Sequence, residues 1–172
     1  MAETTPDAAA QQAQPQAPNI SIRAQFVRAL TFRNDGALQS PEGQPGVTVN
    51  IHVDAGKRTE TDFMVGLRIE AGSKTETQEF YQISLDYAGV FEITNFEARM
   101  LEPLLLIECP RILFPFARRI IADVTRDGGY APLMLDPVDF VALYRREVSR
   151  RSQQQAQDGA GAQAGAEGVP TA

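Results

Sequence analysis

The chain has 172 residues, with 16 Lys and Arg against 22 Asp and Glu, for a formal net charge of -6. A single cysteine excludes an intramolecular disulfide framework, and one cysteine with one histidine cannot build a His/Cys zinc site within one chain. Net acidity argues against general nucleic-acid binding, which needs clustered positive charge. The apolar runs at 104–107 and 112–117 fall far short of the ~20 residues that cross a bilayer. The N-terminus has no basic region followed by a hydrophobic run. A soluble cytoplasmic protein without direct membrane insertion is therefore expected. Residues 1–18 and 152–172 are Ala-, Gln- and Pro- or Gly-rich and offer too little apolar surface to offset ordering entropy. Both are expected to be disordered tails around a folded unit at 19–151.

Strict alternation of apolar residues appears four times. From Ile20 to Arg33 the even positions Ile20, Ile22, Ala24, Phe26, Leu30 and Phe32 are apolar, with Arg28 interrupting the row. The odd positions carry the pattern in the next three segments: Val47, Val49, Ile51, Val53; Phe63, Val65, Leu67, Ile69; and Tyr81, Ile83, Leu85, Tyr87. Period two marks strands with one packed face. The connections at 54–61 and 71–75 are too short for crossover helices, so antiparallel hairpins follow. The connection at 34–46 is longer, rich in Gly and Pro, and suited to a crossover loop.

The period then lengthens. Thr94-Asn95-Phe96-Glu97 has the form of a capping box, predicting a helix toward Cys109 that is kinked or divided at Pro103. A second helix is predicted to begin between Arg111 and Pro115 and to end at Gly128-Gly129. A third is predicted from Asp136 as N-cap and Pro137 as the first helical residue, with a stripe of Val138, Val141, Tyr144 and Val148. Strands followed by helices give an α+β fold: a four-stranded antiparallel sheet, a meander with a crossover loop, and helices on one face. The other face carries Val27, Ala29, Met64 and Phe80, which points to self-association as a dimer or a dimer of dimers.

Constellations that carry catalysis are scarce. His52 reads as a solvated or interface histidine and Cys109 as a packed thiol. No glycine loop precedes a Lys-Ser or Lys-Thr pair, so no phosphate cradle or cofactor is suggested. Glu97, Glu102, Asp123 and Asp139 suit helix starts and solvent faces. Arg118-Arg119 and Arg145, Arg146, Arg150 and Arg151 suit solvated faces and the helix dipole. No enzyme activity is therefore expected. The remaining feature is apolar surface around YAPLML (130–135) and the last helix, suited to a groove that binds extended apolar peptide by burial and backbone pairing.

At 108–118 the string ECPRILFPFAR resembles the signature of the bacterial export chaperone family SecB. YAPLMLDPVDFVAL (130–143) resembles the family's P-x-L-x-L-x-P-V-x-F-x-x-L segment, and Ala88-Gly89-Val90-Phe91 also matches. The resemblance covers roughly residues 20–148. It implies an ATP-independent holdase that keeps newly made preproteins unfolded and delivers them to SecA. It implies a homotetramer, a dimer of dimers, without a cofactor or nucleic acid. By position, the implied client groove comprises Val47, Val49 and Ile51 with Leu133, Leu135, Val138, Phe140, Leu143 and Tyr144. Polar replacement of Val49 and Phe140 together is expected to weaken client capture and leave the assembly intact. The sequence departs from the family where Gly43 stands before Gln44-Pro45 in place of an aromatic. It departs again where Ala29, Arg33 and Ser84 occupy positions of the acidic SecA-docking set. Asp86 beside Ser84, with Glu70 and Glu79, is the candidate replacement. The alternative is an interaction module on the same scaffold that binds one specific folded partner, such as an antitoxin-associated protein.

Overall fold

Alternation builds the sheet as expected, and register shows which strands carry the core. In the computed structural model the described residues are 18–36 and 44–164, with side chains described to residue 154. The four strands are β1 (Asn19–Asn34), β2 (Gly46–Lys57), β3 (Asp62–Lys74) and β4 (Glu79–Thr94). Their order is β1-β4-β3-β2, all antiparallel. The two long hairpins place β3 and β4 at the centre. The 34–46 connection joins opposite edges of the sheet; Gly43 and its neighbours at 37–43 lie outside the described residues.

Phe63, Val65, Leu67 and Ile69 on β3 share a face with Ile83, Leu85, Tyr87, Phe91 and Ile93 on β4, and all are buried. The helices cover this face. Helix α1 (Ala98–Pro103) runs into a π-helical segment (Leu104–Glu108), then α2 (Cys109–Asp127) and, after an extended stretch, α3 (Phe140–Ala164). Leu104, Leu105, Cys109, Leu113, Phe114, Ala117 and Ile121 close the core from the helix side. The π turn sits between two prolines. Pro110 offers no N–H, so the ordinary ladder fails there, and the Cys109 N–H donates to the Leu104 carbonyl five residues back.

Four local expectations change. The Thr94 capping box does not form: Thr94 ends β4, Asn95 takes a left-handed φ of 57°, and Glu97 is the N-cap. Here the strand ladder claims Thr94 before the helix can. The second helix begins earlier than predicted, at Cys109, with Pro110 in its first turn and Pro115 inside it. The third begins later. Asp139, not Asp136, caps it, its carboxylate accepting from the Ala142 N–H at 3.0 Å. At its other end α3 continues to Ala164, into the segment assigned to the C-terminal tail, where Ala and Gln are good helix formers.

Two register shifts in β1, at Arg23 and Arg28, reorder its faces. Ile22 pairs with Phe91 and Leu30 with Leu85, on the helix side, whereas Ala24 pairs with Val90 and Phe26 with Ala88, on the outer side. Val27, expected outside, pairs with Tyr87 and faces the helices. Phe80, also expected on the open face, is buried where the chain passes at Gly36. Ala29 remains exposed there, paired with Asp86.

Candidate binding groove and outer sheet face

The extended stretch before α3 is pinned from both sides. The Leu133 N–H donates to Thr125 Oγ1 at 2.9 Å, and that buried hydroxyl lies 2.9 Å from the Ile121 carbonyl. Tyr130 packs on Tyr81 with ring centroids 4.8 Å apart, and its hydroxyl lies 2.8 Å from the Phe80 carbonyl. The stretch thereby delivers Leu135 and Phe140 into the core, where Phe140 meets Phe114 edge-on. Helix α3 then departs along β2.

Between α3 and β2 lie three hollows of about 280, 70 and 500 Å3. The first two share Ile51 and Leu143; the second and third share His52, Val53, Leu106 and Glu147. They form one groove, walled by β2 from Val49 to Ala55 and by Val138, Asp139 and α3 as far as Arg151. Seven strand residues span roughly 20 Å, room for an extended peptide of similar length. Leu101, Leu105 and Leu106 supply its apolar floor at one end. Because β2 is an edge strand, its outward N–H and C=O groups have no ladder partner among the described strands.

Of the predicted groove residues, the structure brings Val49, Ile51, Val138, Leu143 and Tyr144 together along these hollows. Val47 is exposed nearer the start of β2 and lines none of them. Leu133, Leu135 and Phe140 lie beneath, with Leu135 4% and Phe140 2% exposed. The expectation that Phe140 can be made polar with the assembly left intact is therefore replaced: it is a core residue. Leu106 escaped the sequence reading. Its signal was Leu104-Leu105-Leu106-Ile107, four apolar residues in a row, too many for one buried helical face.

The outer face of the sheet carries Phe26 and Ala29 beside a polar, partly self-neutralised network. Arg28, bulged out of β1, reaches across the sheet. Its Nε donates to Asp86 Oδ1 at 2.8 Å, and its Nη2 donates to Asp54 on β2 at 3.0 Å. This reach passes over Gly66 on β3, where a Cβ would overlap both the guanidinium and the Asp54 carboxylate. Arg68 approaches Asp86 from the other side at 3.5 Å. The hydrogen bond to Asp86 is the main reason the Arg28 pKa rises. Of the candidate partner residues, Glu70, Glu79 and Ser84 line a separate hollow of about 410 Å3 with Thr31, Arg33 and Lys74, and Asp86 does not. Glu70 is exposed and has no ion pair among the described residues.

Cys109 is fully buried, and burial, with the Glu108 charge second, pushes its thiol up to about 12. It is a packing residue with no accessible thiolate. Among the described residues no group of three or more His, Cys, Asp and Glu could hold a metal ion, and no helix is long and apolar enough to cross a membrane.

The SecB family model, described as preprotein translocase subunit SecB, matches residues 12–151. A protein-export protein SecB from Dinoroseobacter shibae is 48% identical over 87% of this chain and 92% of its own length. One from Afipia carboxidovorans is 46% identical over 91% of this chain and 98% of its own. Among solved structures, the Mycobacterium tuberculosis SecB-like chaperone in complex with a ChAD peptide from the HigA1 antitoxin shares the fold. Its TM-score is 0.61, with 14% identity over 70% of this chain and 91% of that one. With the family model over most of its length and close relatives over nearly all of it, the chain belongs to the SecB family of preprotein-export chaperones.

Proposed function

We propose that this protein is an ATP-independent holdase of the cytoplasm, which captures extended stretches of unfolded preproteins in the β2–α3 groove and passes them to SecA. SecB-family proteins are chaperones, not enzymes, so its work is done by binding. The observation that supports the reading most is the groove itself: apolar on its floor, open along its length, and bordered by a strand edge with no partner among the described strands. Val49, Ile51, Val138, Leu143 and Tyr144 bind client apolar groups. The free edge of β2 pairs with client backbone without regard to sequence. Val47 extends this surface, while Leu133, Leu135 and Phe140 support it from below. Binding only unfolded chains draws the client's folding equilibrium by mass action and needs no nucleotide. The test is refolding of a denatured preprotein: stoichiometric protein should arrest it without nucleotide, and undiminished refolding would overturn the reading.

A homotetramer, built as a dimer of dimers, fits the exposed edge on the opposite side of the sheet. Strand β1 is long and has no ladder partner on its outer side among the described strands, and Ile22, Val27 and Leu30 are each more than 40% exposed on the helix-side face. Such an edge is an aggregation site unless another copy covers it. Replacing Ile22 and Leu30 by Asp should reduce the mass measured by sedimentation to a half or a quarter. An unchanged mass would place the interface elsewhere.

SecA docks on the outer sheet face in this account, through Glu70 and Glu79 with Ser84 beside them. Asp86 contributes less, because Arg28 and Arg68 already compensate its charge. Replacing Glu70 and Glu79 by Lys should weaken SecA binding about tenfold at low salt and leave client capture unchanged. Equal SecA affinity in a binding titration would remove these residues from the contact. The second reading, a module for one specific partner, draws on the mycobacterial protein, which holds a single antitoxin peptide on the same fold. Capture of several unrelated denatured proteins separates the two.

A further inference from the structure

Besides its packing on the π-helical segment and the contact of Leu143 with the core, helix α3 is fixed at two places. Phe140 at its start is buried against Phe114. Three turns on, Arg151 reaches α1, its Nη1 donating to Glu102 Oε1 at 3.1 Å while its Nε donates to Glu147 at 3.1 Å. Burial, and then the Glu102 charge, raise the pKa of Tyr144. Arg150 shares Glu147 at 2.9 Å and holds that carboxyl below its ordinary range. The first attachment is core. The second is polar, with Glu102 and Arg151 both about half exposed, and it closes directly beside the 500 Å3 end of the groove.

We propose that Glu102 and Arg151 are positioning residues that form a clasp holding α3 over the groove, and that clients enter by undoing it. The inference rests on the groove reading above. Apart from the clasp, α3 packs chiefly on the π-helical segment, and it is preceded by an extended stretch containing Pro137. Rotation about the Phe140 anchor widens the groove and, besides the partly buried Leu143, leaves the core in place. An exposed ion pair favours the closed arrangement only several-fold, so the clasp sets groove width and yields readily to a chain that fills the groove.

The test uses the full-length protein and a fluorescent, extended apolar peptide without ionisable side chains. Association is followed by stopped flow at low salt and at about 1 M, where the Debye length is only about 3 Å. Glu102→Gln should bind about three- to fivefold faster than the parent at low salt. Its rates also supply the salt response of the peptide itself. The parent should approach the Glu102→Gln rate at high salt, and Glu102→Asp should behave as the parent. In a spin-labelled pair, Arg58→Cys with Ser152→Cys, Glu102→Gln should broaden the distance distribution between α3 and the end of β2, with Cys109 too buried to label. Identical rates and distributions for Glu102→Gln and the parent overturn the clasp. The groove reading is judged separately, by Val49→Asp with Leu106→Asp. Loss of binding there beside an inert Glu102→Gln defeats the clasp alone, and undiminished binding there defeats both.

Discussion

Replacing Val49 and Leu106 together by Asp should lower affinity for unfolded preproteins by at least about a hundredfold while the fold survives. Val49 is 41% exposed on the edge strand, and Leu106 projects from the π-helical segment into the groove without belonging to the buried cluster. Burying one such aliphatic side chain against a client contributes about 1.5–3 kcal/mol. Two of them reach the ~2.8 kcal/mol that a hundredfold requires, and the introduced carboxylates must also be desolvated when a client binds. Neither residue is packed on all sides, so thermal unfolding should shift by only a few degrees. Titration of a labelled denatured client, read beside the melting curve, checks both halves. Equal affinity would move the client site out of the groove.

Replacing Phe140 by Ala should have the opposite signature. Its ring is 2% exposed and meets Phe114 with centroids 6.0 Å apart. Truncating a buried Phe costs about 3–5 kcal/mol through lost transfer energy and the cavity left behind. That is a large share of the ~5–15 kcal/mol that holds a domain together. Chemical denaturation should show the midpoint falling steeply with an unchanged slope, and α3 losing its anchor. A loss below about 1 kcal/mol with reduced client binding would return Phe140 to the groove surface.

The contrast between these two residues shows how far the sequence reaches. Alternation identified β3 and β4 and their buried faces, because a central strand fills its core side almost wholly with apolar residues, Ser73 near the end of β3 being the exception. It failed in β1, where the bulges at Arg23 and Arg28 each shift the parity of the residues after them. The charged residues at those points were visible, but a bulge depends on the partner strand. Capping patterns misled for the same reason: Thr94 and Asp136 have suitable chemistry, yet the strand ladder and the extended Pro137 segment claim them first. The candidate groove residues follow from the family resemblance, and the apolar periodicity of β2 and the last helix agrees with them. Periodicity cannot separate Val49 from Phe140, since both repeat correctly and only depth distinguishes them. Leu106 was hidden by the π turn, which rotates it away from its neighbours' face. The Arg28 bridge across Gly66 joins three strands and has no local signature.

The central claim is that an assembly of this chain holds unfolded preproteins and ignores folded ones. The measurement that tests it most directly is native mass spectrometry of the protein mixed with one preprotein, either denatured or already folded. The account predicts a tetramer that takes up the denatured form alone. A monomer, or equal uptake of both forms, would contradict it.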